Sequence, residues 1–312
     1  MRLSPDAEPA LLTFLDLLRR ADYSFVPPTP ASHARVLARP AMQAARDLRG
    51  IFGWSLPFLP RQLDPEMLAA LHEAGVLLPL GGGMMRSAIR VARIGDRLFI
   101  HSAFPTEAED AVFFGPDSYR FVDLVRAELG GREAVRCLVD IGGGSGVGAI
   151  MASEMVPGAR LVVTDVNRVA LRIARINARH AGLDIDAREG EGVDPVDGDI
   201  DLIIANPPFI MDPKARAYRD GGDMHGARIS LDWTLAGAAR LAPGGRMILY
   251  TGAAIVDGRD PLRDRLEERL PALGCGLRYR ELDPDIFGEE LAGAAYADVE
   301  RIAAVGAVID KN

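Results

Sequence analysis

The chain lacks several features that would place it in other protein classes. Its 312 residues include only two cysteines, Cys137 and Cys275, which lie far apart and without a nearby histidine cluster, so neither a disulfide framework nor a zinc site is predicted. No stretch approaches the ~20 uninterrupted apolar residues of a membrane-spanning helix. The first residues carry acids and prolines, whereas an export signal has a basic start and an apolar run. We therefore expect a cytoplasmic protein with no metal site and no membrane contact.

Charge is unevenly distributed along the chain. Residues 1–105 contain no lysine and have 12 arginines against 9 acidic residues, whereas residues 106–312 have 24 basic and 35 acidic residues. The overall net charge of −8 argues against a protein that simply coats nucleic acid. The length exceeds that of one ordinary domain, and the change in charge and pattern near residue 105 predicts two domains, 1–105 and 106–312.

The first domain is predicted to be small and mainly helical. Apolar residues recur at helical spacing in three segments, the last of which Asp64 would cap, and a Gly81–Gly83 break and a β-hairpin around Gly95 follow. The predicted helical segments are 11–21, 42–52 and 64–76, and the predicted hairpin strands are 88–92 and 97–101. This order indicates a winged-helix-like accessory domain.

Four arginines lie on or near the predicted hairpin: Arg86, Arg90, Arg93 and Arg97. They would bind phosphate or an acidic partner, or they would form an ordinary solvated charged face. The sequence leaves both interpretations open.

The second domain alternates β-type runs with helical segments. The predicted strands are 136–141, 160–165, 185–189, 202–205, 246–251, 277–282 and 302–309. The predicted helices are 118–129, 146–155, 167–181, 230–241 and 261–270. Such alternation is typical of a mostly parallel sheet covered on both faces, an α/β fold.

A glycine-rich segment follows the first strand of this domain. Asp140 precedes Gly142-Gly143-Gly144-Ser145-Gly146, and a helix begins directly afterwards. A tight glycine turn between strand and helix lets a ligand approach the backbone at the positive end of the helix, which is typical of a nucleotide-type site. The segment also satisfies a loose dinucleotide pattern, so the glycines alone do not identify the cofactor. Asp165, at the end of the second strand, would accept hydrogen bonds from ribose hydroxyls in either case.

The fourth strand leads into Asn206-Pro207-Pro208-Phe209. Such a tetrapeptide is expected by chance about 0.003 times in a chain of this length at average residue usage. With these two motifs, residues 106–312 resemble class I S-adenosylmethionine-dependent methyltransferases of the small methyltransferase domain group, which methylate amide or amino nitrogens. The resemblance implies a seven-stranded, mainly parallel Rossmann-like sheet whose last strands are antiparallel.

The resemblance also implies a set of site residues. Asn206, Pro207, Pro208 and Phe209 would be catalytic, with the Asn206 side chain and the Pro207 carbonyl accepting hydrogen bonds from the target nitrogen and Phe209 stacking on the flat target group. S-adenosylmethionine would be held by Asp140, Gly142, Gly144, Ser145 and Gly146 around its methionine part, by Asp165 at its ribose, by Glu191 near its adenine, and by Ser118. Ser118 would equally serve as a helix cap, and Glu191 as an exposed loop acid.

Three acceptors are consistent with these motifs. The glycine-rich loop at residues 218–226, YRDGGDMHG, is similar to one in HemK-type enzymes, which implies a glutamine side chain in a protein such as a release factor. Phe209 stands where those enzymes usually have tyrosine, and the same tetrapeptide is familiar from RNA adenine and guanine methyltransferases. A nucleobase in RNA and a small molecule therefore remain alternative acceptors. Two other classes of protein also remain alternatives: an NAD-dependent oxidoreductase and a non-enzymatic cofactor-binding module. His225 in this loop would lie near the substrate or be merely solvated.

Overall fold

A computed structural model describes residues 3–130, 135–212, 214, 216 and 218–312. The chain divides into two compact units. The first unit comprises Met1–Tyr119, Gly144–Val147 and Arg168–Asp184, and the second comprises Arg120–Gly143, Gly148–Asn167 and Ile185–Asn312.

The regular elements follow one another in the order helices, hairpins, and then alternating strands and helices. The helices are α1 (Ala7–Arg20), α2 (Pro30–Leu37), α3 (Leu48–Phe52), α4 (Pro65–Glu73), α5 (Pro116–Leu129), α6 (Val147–Ala152), α7 (Arg168–His180), α8 (Arg228–Arg240) and α9 (Pro261–Arg269). The strands are β1 (Leu77–Gly81), β2 (Met84–Ser87), β3 (Ile89–Ile94), β4 (Arg97–Ser102), β5 (Cys137–Ile141), β6 (Arg160–Asp165), β7 (Asp186–Glu189), β8 (Ile200–Ala205), β9 (Leu241–Ile255), β10 (Cys275–Asp283) and β11 (Arg301–Lys311).

Helix α4 and the hairpin β3–β4 confirm two predictions for the first unit. The Asp64 carboxylate accepts a hydrogen bond from the Glu66 amide at 2.9 Å, and Pro65 occupies the first helical position, where its missing N–H costs nothing. Strands β3 and β4 are antiparallel, and Gly95 in their turn has φ +56°, a conformation that favours glycine.

Two further elements of this unit differ from the prediction. The Gly81–Gly83 segment is not a break between elements but the tip of a second hairpin, β1–β2, with all three glycines at positive φ. Helix α2 was not predicted, although Thr29 accepts a hydrogen bond from the Ser32 amide and Pro30 starts the helix. Only one of its residues, His33, is buried, so apolar periodicity is weak there.

Three of the four arginines near the hairpin bond within the first unit, and the burial of Arg90 corrects the expectation of a solvated face at that position. Arg90 is only 3% exposed and donates to the Ser102 carbonyl at 3.1 Å. Arg93 donates to the Asp22 carboxylate at 3.0 Å, and Arg97 donates to the Ala181 carbonyl at 2.9 Å. These three guanidinium groups stabilise the unit internally.

The second unit is built on one seven-stranded sheet in the order β10-β11-β9-β8-β5-β6-β7. Strands β9, β8, β5, β6 and β7 pair in parallel, while β11 is antiparallel to both β9 and β10. This arrangement confirms the predicted fold class: a mainly parallel seven-stranded sheet with an antiparallel end.

Helices cover both faces of this sheet. On one face, Leu231 of α8 and Leu266 of α9 share a core with Val139, Ile203 and Met247. On the other face, α5 packs close to β11, since a Cβ placed on Gly306 would lie 3.0 Å from the Leu124 side chain. Successive residues of a strand point to opposite faces, so the apolar runs of the central strands are buried on both sides.

Within the described residues, no helix is long and apolar enough to cross a membrane. Those residues also contain no group of three or more His, Cys, Asp or Glu side chains placed to hold a metal ion. Cys137 and Cys275 are both free and buried.

Candidate active site

The two sequence motifs of the second unit leave the sheet side by side. Strands β5 and β8 are parallel neighbours with Ile141 opposite Ala205. Gly142 and Asn206 directly follow these two residues, so both lie at the carboxyl edge of the sheet. In parallel sheets, ligands bind at this edge.

Three positions of the glycine-rich segment exclude any side chain. A Cβ would lie 2.7 Å from the Trp233 ring at Gly142, 2.5 Å from Val163 at Gly143, and 2.6 Å from the Asp140 carboxylate at Gly148. Gly142 also has φ +61°, and the Gly143 amide donates to the Thr164 carbonyl at 3.0 Å. The glycines therefore let the loop lie directly on the ends of the neighbouring strands.

Asp140 lies beneath this loop. It is 1% exposed, and its carboxylate accepts a hydrogen bond from the Ala149 amide, in the first turn of α6, at 2.8 Å. Burial raises the pKa of Asp140 to about 7, with a further increase from the charge of Asp165, while the bond from Ala149 acts in the opposite direction. Asp140 thus ties the end of β5 to the helix that follows the loop.

The ends of β6 and β7 are joined by hydrogen bonds. The Thr164 hydroxyl donates to the Gly192 carbonyl at 2.7 Å, and the Gly190 amide donates to the Asp165 carbonyl at 3.1 Å. The Asp165 carboxylate accepts from the Asn167 amide at 2.8 Å and is partly exposed. Glu191 follows β7 and is exposed. Asp165 and Glu191 thus place two acids at the ends of adjacent strands.

The remaining residues predicted for the cofactor belong to the first unit. Gly144 and Gly146 have φ of +55° and +77°, and the Ser145 carbonyl between them accepts from the Asn177 side chain at 2.9 Å. Ser118 lies in the first turn of α5, which begins at Pro116 and not at Ser118 as predicted. Its hydroxyl accepts from the Gly115 amide at 3.4 Å, so it does cap the helix, from within the first turn.

Phe209 is held firmly at the end of the Asn206-Pro207-Pro208-Phe209 tetrapeptide. Phe209 is buried, with only 8% of its surface exposed. The ring lies against Gly252 of β9, where a Cβ would come within 2.4 Å of it, and it meets the Phe287 ring edge-on at a centroid distance of 5.5 Å. The aromatic ring is therefore fixed by residues that lie far from it in the sequence.

The glycine-rich loop at residues 218–226 packs on the backbone of Phe209. A Cβ on Gly226 would lie 2.4 Å from the Phe209 carbonyl oxygen, and a Cβ on Gly221 would lie 2.8 Å from the Phe209 Cα. The Gly221 amide donates to the Ile210 carbonyl at 2.8 Å. Only glycine permits this close approach, which explains Gly221 and Gly226.

His225 in this loop is paired and not merely solvated. Its Nε2 lies 3.0 Å from an Asp298 carboxylate oxygen. Tyr296, only two residues from Asp298, accepts from the Met211 amide at 2.8 Å and donates to the His225 carbonyl at 3.4 Å. The segment between β10 and β11 thus supports both the glycine-rich loop and the residues that follow the tetrapeptide.

Four residues around the motifs were not identified from the sequence: Trp233, Phe287, Tyr296 and Asp298. They lie 27 to 92 positions beyond Asn206, and none belongs to a motif. Only the scarcity of tryptophan, two in the chain, offered a signal, and it does not specify a site.

This arrangement of strands and loops is that of a class I methyltransferase. Residues 125–249 match the family described as methyltransferase small domain. The chain therefore carries a domain of this family.

Individual relatives make the comparison more specific. The chain is 32% identical over 180 residues to a release factor glutamine methyltransferase of Deinococcus radiodurans, a match that covers 56% of this chain and 63% of the relative. It is 28% identical over 235 residues to the protein of the same name from Bordetella pertussis, which covers 73% of this chain and 81% of the relative. A solved T. thermophilus 16S rRNA N2 G1207 methyltransferase, in complex with AdoMet and guanosine, aligns at 17% identity and a TM-score of 0.47 over 82% of this chain and 64% of that chain.

Proposed function

We propose that this protein transfers a methyl group from S-adenosylmethionine to the amide nitrogen of a glutamine side chain in a protein such as a release factor. The observation that carries the proposal is the position of Asn206-Pro207-Pro208-Phe209 directly beside the glycine-rich loop at the carboxyl edge of the sheet. A nitrogen bound at the tetrapeptide would lie next to a cofactor bound at the loop.

The residues at this edge suit the proposed cofactor. The glycines of the loop carry no side chains of their own, so a ligand would approach their main chain closely. The carboxylate of Asp165 suits ribose hydroxyls, and Glu191 suits an adenine amine. Gly144, Ser145, Gly146 and Ser118 are proposed to contact the cofactor as well. Asp140 is proposed to act from beneath the loop, because its carboxylate is buried and bonded to Ala149.

The tetrapeptide supplies what a planar nitrogen needs. An amide nitrogen is a poor nucleophile because its lone pair is delocalised. Two acceptors, the Asn206 side-chain oxygen and the Pro207 carbonyl, would take its N–H hydrogen bonds, aim the lone pair and stabilise the charge that develops on nitrogen. Pro207 and Pro208 restrict the backbone that carries both acceptors. When bound, the cofactor supplies an electrophilic methyl carbon on a sulfonium, and the methylated nitrogen then loses its proton to water.

The part of the Phe209 ring that remains exposed would stack on the flat target group and orient it. The rest of the ring is covered by Gly252 and Phe287, which fixes its plane. Such a fixed aromatic surface suits a planar amide, because aromatic groups stack in a few preferred geometries.

A protein acceptor is favoured over RNA on two grounds. The relatives at 32% and 28% identity are both named for the release factor substrate. Three of the four arginines that favoured RNA, Arg90, Arg93 and Arg97, are bonded within the first unit, which weakens the support for a phosphate-binding face. We further propose that residues 1–105 present the protein substrate and that the reaction takes place in the cytoplasm, where the two free cysteines remain reduced.

The test is transfer of radiolabelled methyl from S-adenosylmethionine into a lysate of cells that lack this protein, followed by protease or ribonuclease. We expect label that protease removes and that appears on a glutamine amide after hydrolysis of the labelled protein. Asn206→Ala protein is the control for background labelling. Label that ribonuclease removes would establish an RNA base as the acceptor, and label confined to small molecules would overturn both macromolecular acceptors.

A further inference from the structure

We propose that Trp233 forms a wall of the cofactor site and contacts the adenosine part of S-adenosylmethionine. The inference rests on the proposed function, and nothing in the sequence motifs includes this residue. Trp233 belongs to α8, 27 positions beyond Asn206. Its place in the second unit becomes apparent only from the folded chain.

The indole lies against two glycines at the carboxyl edge of the sheet, Gly142 and Gly192. Its six-membered ring is within 2.7 Å of the position that a Cβ would take on Gly142, and its five-membered ring is 3.6 Å from that position on Gly192. Gly142 follows β5 and Gly192 lies just beyond β7. Trp233 therefore lies between residues that follow β5 and β7, near the proposed ligands of the cofactor.

The glycines are matched to the indole. Both have positive φ, +61° at Gly142 and +55° at Gly192, so a side chain would be strained there in any case. At Gly142 it would also collide with the ring. One large aromatic group from α8 thus takes the place of side chains at these two glycines.

A hydrogen-bond donor at this place has no partner. The Nε1 of Trp233 is buried and bonds to no atom of the described residues. An unpaired buried donor is unfavourable because it loses its hydration without gaining a hydrogen bond, and native proteins leave few such groups unexplained. A bound adenosine offers ring nitrogens and ribose oxygens as acceptors, so a small adjustment of the ring on binding would satisfy the donor.

The position of the acids indicates which part of the cofactor meets the indole. Asp165, at the end of β6, suits the ribose, and Glu191, next to Gly192, suits the adenine amine. The end of the indole that carries Nε1 lies on the Gly192 side, 3.7 Å from the Cβ position there. Trp233 therefore belongs to the adenosine end of the site rather than to the methionine end.

The chain's two tryptophans allow a direct test. Trp54 lies in the first unit beside His33 and Phe25, so a Trp54→Phe variant leaves Trp233 as the sole tryptophan. We expect S-adenosylhomocysteine to change the fluorescence of this variant, with a dissociation constant equal to that measured for the wild-type protein by calorimetry. Trp233→Phe protein, with Trp54 as its sole tryptophan, should lose the fluorescence change.

Affinity provides the second measurement. Trp233→Leu should bind S-adenosylhomocysteine about tenfold more weakly, and Trp233→Phe, which keeps the ring and loses the donor, about threefold more weakly. Thermal unfolding of each variant checks that it is folded. Wild-type affinity in both variants, with no fluorescence change in Trp54→Phe, would overturn the role of Trp233 and leave the proposed function intact. Absence of any binding to the wild-type protein would overturn the proposed function itself.

Discussion

The rings of Phe209 and Phe287 meet edge-on, with centroids 5.5 Å apart and planes at 77°. Gly252 of β9 lies against the Phe209 ring as well. Phe287 has φ +53°, a conformation that is an outlier for a bulky residue. The position of the Phe209 ring thus depends on a strained residue 78 positions away and on a glycine of β9.

The first prediction concerns the space that Gly252 provides. In Gly252→Ala, the new Cβ would lie 2.4 Å from the Phe209 ring and would displace it. We expect methyl transfer to decrease roughly 10- to 100-fold, because small misplacements near reacting groups are costly, with unchanged affinity for S-adenosylhomocysteine. Gly276→Ala is the matched control, since its Cβ would meet nothing within 4 Å. Equal activity of the two variants would contradict the positioning role.

The second prediction separates transfer from cofactor binding. Asn206→Ala should bind the cofactor normally and lose over ~100-fold in methyl transfer, on the order of 3 kcal/mol of transition-state stabilisation. Asp165→Ala should instead weaken cofactor binding, because its carboxylate is proposed to hold the ribose. Calorimetry and single-turnover transfer measure the two effects. Equal loss of binding in both variants would refute this division of roles.

The third prediction follows from the raised pKa of Asp140, about 7. The folded protein then holds this proton more tightly than the unfolded chain, whose aspartates titrate near 4. The contribution of Asp140 to stability is therefore complete below pH 4 and is lost as pH rises towards 7, by about 4 kcal/mol in total. Asp140→Asn keeps an oxygen for the Ala149 amide without the charge, so it should be more stable than wild type at pH 8.

Denaturant unfolding at pH 5 and pH 8 measures this difference. We expect the difference between Asp140→Asn and wild type to be larger at pH 8. A difference independent of pH would show that Asp140 is ionised throughout the range. Asp140→Ala, which cannot accept from Ala149, should weaken cofactor binding through the loop.

The fourth prediction concerns acid sensitivity of the first unit. Burial and the nearby Arg90 charge lower the pKa of His33 to about 4 and that of His101 well below its usual value. The unfolded chain therefore binds protons at these histidines below about pH 6.5 while the folded protein does not, and stability decreases as pH falls. Each histidine contributes about 1.4 kcal/mol per pH unit in this range.

Replacing one of these histidines tests the effect. His101→Leu should reduce the slope of unfolding free energy against pH, between pH 6 and pH 5, by about 1.4 kcal/mol per pH unit. The wild-type protein, measured at the same pH values, provides the reference slope. An unchanged slope in His101→Leu would show that His101 takes up its proton in the folded state.

Much of the fold is predictable because its signals are local. The central strands β5, β6 and β8 appear in the sequence as short apolar runs, and the structure has them within two residues of the predicted positions. Helix α2 was missed because it buries only His33. The β1–β2 hairpin was missed because its exposed strand β1 lacks the alternation of a half-buried strand.

The arginines illustrate a different limit. Their spacing along the hairpin is readable, but their partners are not. Arg93 finds Asp22, 71 positions earlier, and Arg97 finds the Ala181 carbonyl, 84 positions later. Whether a charged side chain faces solvent depends on such distant groups, so the spacing of the arginines alone does not decide it.

The sequence by itself determined the reaction class. The glycine-rich turn and Asn206-Pro207-Pro208-Phe209 are contiguous, and their chemistry depends on backbone conformation that glycine and proline specify locally. The tertiary structure alone decided what surrounds these motifs: Trp233 against Gly142, Phe287 and Gly252 against Phe209, and Asp298 against His225. These contacts join residues that are remote in the chain, and side-chain packing in three dimensions, which no local pattern encodes, determines which of them meet.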